Sequence, residues 1–515
     1  MMFLKKNLKY FGFVLIATLF IGICFTSTDF IKLPFHKFKD FIEIFLQWVV
    51  LLIAIGSVVY LISINKYIFS ALYPVICFLS SILAYFRYTS GTTLTTMILD
   101  AALSNDTQTS MDLITPWLIL WVIFSLAVSI LLVIYRIKKI KVYKSGIHWI
   151  VSILFFLVVF NVQRIKNPVS ERIPLNVYFI TSRYFSEKQE IQKERASLSE
   201  NVICGEDDEL IVVFVIGESL RADHLEFNGY HRNTTPHLSN EDIISFPNIY
   251  SEYAYTNVSL PHILTRSDSI SQERAYSERS FIDLFNYCGF YTAWLANQES
   301  AKTYAYFMHE TDTLIFANIN RSSYVFDYKW VDMDLFPYFE QILQREEERK
   351  LIILHTIGSH WYYNAHYTDE FQQFNPITKS RIISSCTPEE LINSYDNTIL
   401  CTDYFLHNII DRLRDKNAIL FYLSDHGESL GENGVWLHAA DSPPIHNPAG
   451  FIWMSPAYKE SNMGKYTALQ KNRLGRFRTD FLFHTITEAA GMRGGVIDHN
   501  FSLFNSFEKT DNNLK

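Results

Sequence analysis

The chain has 515 residues, of which 49% are hydrophobic and 16% aromatic, and its formal net charge is −8. This length leaves room for more than one domain. The acidic balance, without a long basic stripe after about residue 165, argues against a nucleic-acid partner. The six cysteines follow no CxxC spacing, which disfavours a structural zinc knuckle.

Five apolar runs occupy the first third of the chain, each close to the roughly 20 residues that a bilayer-spanning helix needs. The first run lacks a small-residue cleavage site, so we predict a retained span rather than a signal peptide. The basic N-terminus and the basic loop 136–144 favour the cytoplasmic side. An odd number of spans then places everything after about residue 164 outside the cytoplasm. The predicted spans cover residues 10–26, 42–64, 68–86, 116–135 and 147–163.

A connecting region follows the apolar runs. Residues 176–197 have a helical, amphipathic pattern with aromatic residues beside basic ones, which is typical of a helix lying along a membrane surface. Residues 200–209 are polar and acidic, as a linker would be. The predicted domain organisation is a membrane domain at 1–165, a bridging helix and linker at 166–209, a catalytic domain at 210–507 and a polar tail at 508–515.

Strand and helix patterns alternate from residue 211 onward, which predicts an α/β domain with a largely parallel sheet. Strands are expected at residues 211–216, 291–296, 351–357, 418–424 and 450–454. Helices are expected at residues 280–288, 335–346, 388–413 and 479–490.

Three of the predicted strands end at side chains that could hold a metal ion. The first strand runs into Glu218, the fourth into Asp425 and His426, and the third is followed by His360. Ligands collect at the carboxyl edge of open α/β sheets, and carboxylates with imidazole suit zinc. The sequence therefore predicts a metal site at this edge of the sheet.

Longer motifs surround these residues. They are GESLRADHLEFNGYHRNTTPHL from Gly217, TNVSLP from Thr256 and SDHGESLGENGVWLH from Ser424. Together they resemble the membrane-bound phosphoethanolamine transferases of Gram-negative bacteria, within the alkaline phosphatase/sulfatase superfamily. That family includes lipid A-modifying enzymes and transferable colistin-resistance proteins. The resemblance covers nearly the whole chain, and its most specific part is SDHGESLGENG.

The resemblance implies both a fold and an activity. The fold is an N-terminal α-helical membrane domain with five spans and an alkaline phosphatase-like (sulfatase-like) α/β catalytic domain with a largely parallel central sheet. The activity is zinc-dependent transfer of phosphoethanolamine from phosphatidylethanolamine to an envelope acceptor, with lipid A expected, through a phospho-threonine-type intermediate. We expect a monomer in the bacterial inner membrane, in contact with membrane lipids, with its catalytic domain in the periplasm and no nucleic-acid partner.

The family's zinc ligands carry over residue by residue. The resemblance assigns zinc to Glu218, Thr256, Asp425 and His426, and it makes Thr256 the nucleophile. A hydroxyl is a weak nucleophile at neutral pH unless a metal lowers its pKa. Standing alone, a Glu after a strand or a Thr among tyrosines is usually structural.

Ser259 is the alternative nucleophile, because Ser-x-Pro resembles the formylglycine motif of sulfatases. That motif has Arg two positions after the proline, where this chain has Ile263. If the stretch 251–259 is extended, Thr256 and Ser259 point to opposite sides, so only one of them would reach a metal. The family spacing to Pro261 favours Thr256.

Two further histidines match family positions that contact the phosphoryl group, namely His360 and His438. Donors there would neutralise charge on the phosphate oxygens in the transition state. His355 is predicted to orient a ligand from behind the site. Asn397 matches a family helix position but is expected to be structural.

The chain also departs from the family. Glu252 and His262 stand where relatives have a pair of cysteines around the nucleophile, and Cys386 lacks its family mate. We therefore expect a catalytic domain with mostly free thiols. In the outer loop, Gln108 or Thr109 stands where some lipid A enzymes have an acidic residue, which leaves the acceptor open.

Three other functions stay open at this point. A sulfatase or phosphodiesterase of the same fold would transfer to water and would need no membrane spans. A membrane-anchored glycerol-phosphate transferase would share the topology and differ only in its donor. A catalytically dead binding module would have no reason to keep Glu218, Thr256, Asp425 and His426 together.

Overall fold

The computed structural model describes residues 2–31, 33–104, 114–321, 329–438 and 441–505. The chain forms two compact units. The first comprises Met1–Phe185 with Ile319–Asp327 and Lys379–Ser385. The second comprises Ser186–Asn318, Tyr328–Thr378 and Cys386–Lys515.

The first unit is helical. Its described α-helices, with a ninth that ends just inside the second unit, are α1 (Met2–Thr26), α2 (Thr28–Ile31), α3 (Phe38–Ser63), α4 (Lys66–Thr89), α5 (Thr96–Ser104), α6 (Pro116–Lys139), α7 (Ser145–Asn161), α8 (Gln163–Ser170) and α9 (Asn176–Ile191). The last of these is the predicted amphipathic helix, which ends six residues earlier than expected.

Four helices of this unit are long and apolar enough to cross a membrane, namely α1, α3, α4 and α6. The prediction of five full-length spans is wrong, because the fifth predicted segment forms the 17-residue helix α7. At 1.5 Å per residue it is about 26 Å long, short of the roughly 30 Å hydrocarbon core. It ends because Val162 takes an extended backbone conformation, a break that hydropathy does not reveal.

Buried polar side chains of the first unit have specific partners. The guanidinium of Arg136 donates to the carbonyl oxygens of Ser63 and Ile64, both at 2.8 Å, where α3 ends. Arg87 donates to Asp29 at 2.9 Å. Polar groups inside apolar helix bundles need such partners, because no water is present to replace them.

The second unit is built on a seven-stranded sheet. Its spatial order is β2-β10-β7-β1-β6-β4-β5, with β10 antiparallel to its neighbours and the other pairs parallel. The predicted largely parallel sheet is confirmed. The described strands are β1 (Leu210–Gly217), β2 (Ile243–Ser245), β3 (Ile249–Tyr250), β4 (Tyr291–Ala296), β5 (Thr313–Phe316), β6 (Arg349–His355), β7 (Ala418–Ser424), β8 (Ser429–Leu430), β9 (Trp436–Leu437), β10 (Gly450–Met454) and β11 (Phe477–Arg478).

Helices cover both faces of this sheet. The longest begins at a capping box formed by Thr387 and Glu390, which satisfies the first free amide groups of the helix. The described α-helices are α10 (Thr256–Leu264), α11 (Arg274–Ser277), α12 (Phe281–Tyr287), α13 (Ala305–Met308), α14 (Phe336–Leu343), α15 (Pro388–Leu413), α16 (Pro456–Ser461), α17 (Met463–Asn472) and α18 (Phe481–Ala489).

Strand β1 lies at the centre of the sheet and is buried along its whole length. Its residues alternate between two cores: Val212 and Phe214 belong to one, and Val213 and Val215 to the other. Burial on both faces explains the uninterrupted apolar run. The register pairs the last residues of β1 with those of β6 and β7, so the polar residues after these strands meet.

One disulfide joins Cys204 to Cys288. The expectation of mostly free thiols is therefore met by only two of the four cysteines in this domain, Cys386 and Cys401. These cysteines are 84 residues apart in sequence and match no family pair, so spacing could not pair them. Folding brings their Cα atoms to 5.3 Å, within the range that a disulfide spans. The buried Cys401 stays a free thiol.

Candidate metal centre

The predicted ligands after β1 and β7 converge. Oxygen atoms of Glu218 and Asp425 and a ring nitrogen of His426 all lie within 4.8 Å of one another. All three residues are buried. The Nε2 atom of His426 lies 3.6 Å from Glu218 Oε1 and 3.5 Å from Asp425 Oδ2.

Tight backbone turns place Glu218 at the site. A Cβ atom at Gly217 would lie 2.2 Å from the hydroxyl of Tyr422, and one at Gly358 would lie 2.9 Å from the Glu218 carbonyl oxygen. Only glycine therefore fits on either side of this carboxylate. Ser219 has a positive φ of 57°, a strained conformation that occurs mostly at functional sites.

Hydrogen bonds hold the Glu218 carboxylate in place. Its Oε1 accepts from the hydroxyl of Ser219 at 2.8 Å, and its Oε2 accepts from Gln298 Nε2 at 2.9 Å. The amide of Gln298 is itself anchored, since it also donates to the carbonyl oxygen of Thr356 at 2.7 Å. Supporting donors of this kind fix the direction in which a carboxylate presents its free lone pairs.

Asp425 and His426 are fixed mainly by the backbone. Asp425 Oδ1 accepts from the backbone amides of His426 at 2.8 Å and Ser219 at 3.2 Å. The Nδ1 atom of His426 lies 2.7 Å from the carbonyl oxygen of Gly427, so Nδ1 carries the proton that it donates. The other nitrogen, Nε2, faces the two carboxylates and is left to bind a metal.

The Thr256 hydroxyl completes the group. Its Oγ1 lies 3.0 Å from Glu218 Oε2 and 2.5 Å from Asp425 Oδ2. Thr256 is the first residue of α10, so it sits at the end of the helix that favours negative charge. The structure therefore brings all four predicted zinc-site residues together.

Ser259 is oriented differently. The assumption of an extended stretch is wrong, because α10 begins at Thr256 and its helical backbone carries Ser259 one turn along. The buried hydroxyl of Ser259 donates to the carbonyl oxygen of Asp425 at 2.6 Å. It thus supports the loop of a site residue and does not face the carboxylate oxygens that surround Thr256.

These donors fit a zinc ion. Two carboxylates, one neutral imidazole nitrogen and one hydroxyl supply four ligand atoms, the number that zinc usually takes in proteins. Among the described residues, no Lys or Arg pairs with Glu218 or Asp425, and His426 is the one basic side chain within 4 Å of their oxygen atoms.

The pKa values of these three side chains reflect how close the two carboxylates lie to each other and to His426. Burial and the nearby charge of Glu218 raise the pKa of Asp425 to about 7. Burial by itself would raise the pKa of Glu218, but His426, His360 and the bond from Gln298 outweigh it and lower that pKa to about 2. Burial opposes charge on His426 too, yet the two carboxylates raise its pKa to about 9. A metal cation would take the place of these shared protons.

His438 and His360 lie close to the group. The ring of His438 is 5.2 Å from that of His426, and its Nδ1 is 3.5 Å from Glu428 Oε1. Burial would lower the pKa of His438, but Glu428 outweighs it and raises that pKa. Burial lowers the pKa of His360, which is close enough to Glu218 to feel its charge.

Two other predicted residues make no hydrogen bond to the ligand group among the described residues. His355 packs its ring 5.8 Å from that of Trp294 and 5.6 Å from that of Tyr304. Neither ring nitrogen has a hydrogen-bond partner in the described part of the chain, so the role of His355 in orienting a ligand stays a prediction. Asn397 accepts from the backbone amides of Gln373 and Phe374, which is the structural role expected.

Two contributors were not predicted. Gln298 follows β4 as Glu218 follows β1, so the strand-end rule applied to a fourth strand would have found it. Glu428 lies in the SDHGES motif and is fully buried. Its Oε2 accepts from Tyr363 at 3.2 Å, while Oε1 faces His438. A buried carboxylate so placed orients the histidine.

The residues that replace the family cysteines serve other contacts. Glu252 pairs with Arg478, and the ring of His262 packs 4.3 Å from that of Tyr253 while its Nδ1 contacts Ser267 Oγ at 2.7 Å. Gln108 and Thr109, which bear on the acceptor, lie outside the described residues.

A second group has similar composition, formed by Glu241, His407 and Asp411. There the guanidinium of Arg414 contacts Glu241 at 2.7 Å and Asp411 at 2.6 Å. His407 bridges the same two carboxylates, with Nδ1 3.0 Å from Glu241 and Nε2 3.3 Å from Asp411.

Comparisons with known proteins show similarity to phosphoethanolamine transferases. Phosphoethanolamine transferase EptA of Escherichia coli K12 is 26% identical over 95% of each chain. The integral membrane lipooligosaccharide phosphoethanolamine transferase A of Neisseria meningitidis has the same fold, with a TM-score of 0.54, 22% identity and coverage of 96% of this chain and 98% of that one. The periplasmic domain of EcEptC from Escherichia coli, solved in complex with Zn, aligns with a TM-score of 0.55 and 23% identity over 62% and 92% of the two chains.

Two family models match the chain. That of phosphoethanolamine transferase EptA/EptB matches residues 49–165, which confirms the resemblance found in the sequence. The Sulfatase model matches residues 211–492, more than half of the chain and the whole of the region that builds the metal cluster. The chain therefore belongs to the Sulfatase family.

Proposed function

We propose that this protein transfers phosphoethanolamine from phosphatidylethanolamine to an envelope acceptor through a covalent intermediate on Thr256, in a zinc-dependent reaction. The observation that carries the proposal is the contact of the Thr256 hydroxyl with both carboxylates of the cluster, at 3.0 and 2.5 Å. We infer that the transferred group is phosphoethanolamine from the names of the similar proteins, since two of the three reported are phosphoethanolamine transferases.

Zinc is the proposed metal, held by Glu218, Asp425, His426 and Thr256. When bound, zinc lowers the pKa of a ligating hydroxyl and offsets negative charge on a phosphate oxygen. The chain contributes the geometry. Its strand ends fix the two carboxylates and its backbone fixes the histidine tautomer, so the ligand atoms are preorganised before a metal arrives.

The proposed first step forms a bond between Thr256 Oγ1 and the phosphorus of the donor. The bond from phosphorus to the diacylglycerol oxygen breaks, and that oxygen leaves as an alcohol after gaining a proton. Asp425, 2.5 Å from Oγ1, is placed to receive the threonine proton. In the second step an acceptor oxygen attacks the phosphorus, and Thr256 Oγ1 is released and regains a proton.

His438 and His360 are proposed to contact the phosphoryl oxygens. Negative charge on these oxygens favours cationic and hydrogen-bonding groups placed in advance. The carboxylate of Glu428 raises the pKa of His438 and so favours its charged form. The half-buried His438 side chain, 31% exposed, can reach both solvent and substrate.

The acceptor is proposed to be lipid A, because the Neisseria relative acts on a lipooligosaccharide by its name. Location follows from the same reasoning. The four apolar helices would anchor the chain in the inner membrane, and the catalytic unit would lie in the periplasm as a monomer. Anchoring beside the bilayer raises the local concentration of both lipid substrates.

A covalent-trapping experiment tests this function. The full chain, purified with bound metal, is incubated with phosphatidylethanolamine and without acceptor, and its peptides are analysed by mass spectrometry. We expect a phosphoethanolamine adduct on the peptide that contains Thr256. Thr256→Ala should keep its metal and carry no adduct, whereas Ser259→Ala should keep both.

Two results would overturn the proposal. An adduct that survives in Thr256→Ala and disappears in Ser259→Ala would assign the chemistry to the other hydroxyl. A metal-loaded protein that releases free phosphoethanolamine to water as fast as it consumes the donor, with or without lipid A, would be a phosphodiesterase.

A further inference from the structure

A large apolar cavity lies within the first, helical unit. Its volume is about 800 Å³, within the range of about 300 to 1,000 Å³ that ligand pockets occupy. Helices α1, α3, α4 and α7 form its apolar walls, and Lys166 with the segment from Pro174 to Phe185 forms the rest. All of these residues belong to the first unit.

The cavity extends into the helix bundle. Three of its lining residues, Ile21, Ile55 and Val59, are at most 1% exposed. They belong to the core of this unit, together with the half-buried Val58 beside them. The cavity is therefore more than a shallow groove on the lipid-facing surface, where side chains such as Leu120 are 57% exposed.

The short α7 accounts for the space. It has 17 residues, whereas α3 and α4 have 26 and 24, and the cavity lies beside its last turns at Phe156 and Phe160. After α7 the chain breaks at Val162 and continues into α8 and α9. The neighbouring long helices consequently lack a full-length partner at this end of α7.

Polar and apolar groups are segregated along the lining. The residues contributed by α3 and α4 are aliphatic apart from Ser80, whose hydroxyl already donates to the carbonyl oxygen of Ile76. Lys166, Tyr178, Thr181 and Ser182 all come from α8 and α9. A ligand that fits this pattern has a long apolar part and a polar end.

The polar end should be anionic. Lys166 is the one charged side chain among the described residues that line the cavity. Its ammonium group lies 5.9 Å from the ring centre of Phe179, and it forms no salt bridge in the described part of the chain. A phosphate group would supply the missing negative partner, and lysine is a common phosphate ligand.

The cavity is large enough to admit acyl chains. Its volume of about 800 Å³ lies in the upper part of the range that ligand pockets occupy.

We propose that this cavity binds one glycerophospholipid, with its acyl chains between α3, α4 and α7 and its phosphate at Lys166. The site lies apart from the metal cluster in sequence, and the proposal does not depend on the proposed transferase reaction. The lipid bound here is a resident ligand that fills the bundle.

Lipid retention tests the proposal. The full chain is extracted in mild detergent and washed, and phospholipid per chain is measured by native mass spectrometry. We expect about one tightly held phospholipid in the unmodified protein. Lys166→Glu should lower its retention about fivefold or more, the effect of losing roughly 1 kcal/mol of attraction. Leu79→Trp, which fills the cavity, should also lower it.

Matched controls separate the cavity from the lipid-facing surface. Lys188→Glu changes an exposed lysine on the same helix α9, and Leu120→Trp changes an exposed leucine of α6; neither residue lines the cavity. Both should retain the phospholipid. Equal retention in all five proteins, or equal loss in the controls and the cavity variants, would overturn the proposal.

Crosslinking gives an answer that does not depend on variants. The unmodified protein in vesicles of phosphatidylethanolamine and phosphatidylglycerol is labelled with a phospholipid that carries a diazirine in its acyl chain. We expect labelled peptides to concentrate at residues 55–59 and 76–80. Labelling confined to surface positions such as Leu120 and Ile153 would mean that the cavity holds no lipid.

Discussion

Two groups of side chains in the second unit contain the same residue types, one Glu, one Asp and one His, with their candidate ligand atoms within 4.8 Å of one another. In the first, Glu218, Asp425 and His426 are all buried. In the second, Glu241, His407 and Asp411 range from half-buried to exposed, and Asp411 is 48% exposed. The two groups differ most in whether a positively charged side chain contacts their carboxylates.

Arg414 occupies the cation position of the second group. Its guanidinium contacts both carboxylates there, whereas no described Lys or Arg contacts Glu218 or Asp425. Negative charge buried without a fixed cation is costly, and it persists where a ligand supplies the missing charge. Composition and spacing therefore indicate a possible metal centre in both groups, whereas burial and charge balance favour only the first.

Removal of one ligand should give the largest effect. Asp425→Ala leaves an incomplete set, and the interactions lost are worth several kcal/mol, so we expect transfer to fall at least about 1,000-fold and bound zinc to disappear. Asp411→Ala is the matched control and should leave zinc content and activity unchanged. The comparison fails if both variants lose zinc or if Asp425→Ala keeps substantial turnover.

Acidity should weaken metal binding at the first group over a defined range. Metal uptake displaces a proton from His426, whose pKa is raised to about 9, and below pH 7 also one from Asp425, whose pKa is raised to about 7. Affinity should therefore rise about tenfold per pH unit from 7 to 9 and more steeply below 7. Competition with a chromophoric chelator at several pH values measures this. A flat profile from pH 7 to 9 would contradict it.

Loss of a supporting hydrogen bond should have a smaller effect. Gln298→Ala removes the donor that holds Glu218 Oε2 at 2.9 Å, and such changes typically weaken metal affinity about 10- to 100-fold. Gln372→Ala, which loses only a surface bond to Asn375, should bind metal normally. Equal affinities in the two variants would show that Glu218 does not need this support.

The smallest change is expected at the second group. Arg414 is 41% exposed, so its ion pairs should contribute at most about 1 kcal/mol to the free energy of unfolding. Arg414→Ala should lower stability by no more than that and should create a weak second zinc site on the released carboxylates. Arg412→Ala, which loses a pair with Glu340, should create none. If Arg414→Ala gains no zinc, Arg414 is not the reason that this group binds no metal.

The sheet was largely predictable because long apolar runs have one interpretation. The expected strand at 418–424 and helix at 388–413 match the structure. The edge strands β2 and β5 were missed, since three or four residues carry too little pattern to recognise. Strand direction was also beyond composition, so the antiparallel β10 could not be distinguished from its parallel neighbours.

The site residues that could be predicted are those that follow a predicted strand or belong to a family motif. Glu218, Asp425 and His426 follow strands, and Thr256 was chosen by the family spacing to Pro261. The helix that begins at Thr256 was not foreseen, because the polar stretch before it has no helical period. The Cys204–Cys288 bridge was also missed, since only tertiary structure brings the two cysteines together.

The most direct test of the account locates the metal. Crystals of the full chain grown with zinc are measured above and below the zinc absorption edge, and an anomalous difference map is calculated. We predict one strong peak between Glu218, Asp425 and His426, within bonding distance of Thr256 Oγ1, and none at Glu241, His407 and Asp411. A peak at the second group with none at the first would contradict the account.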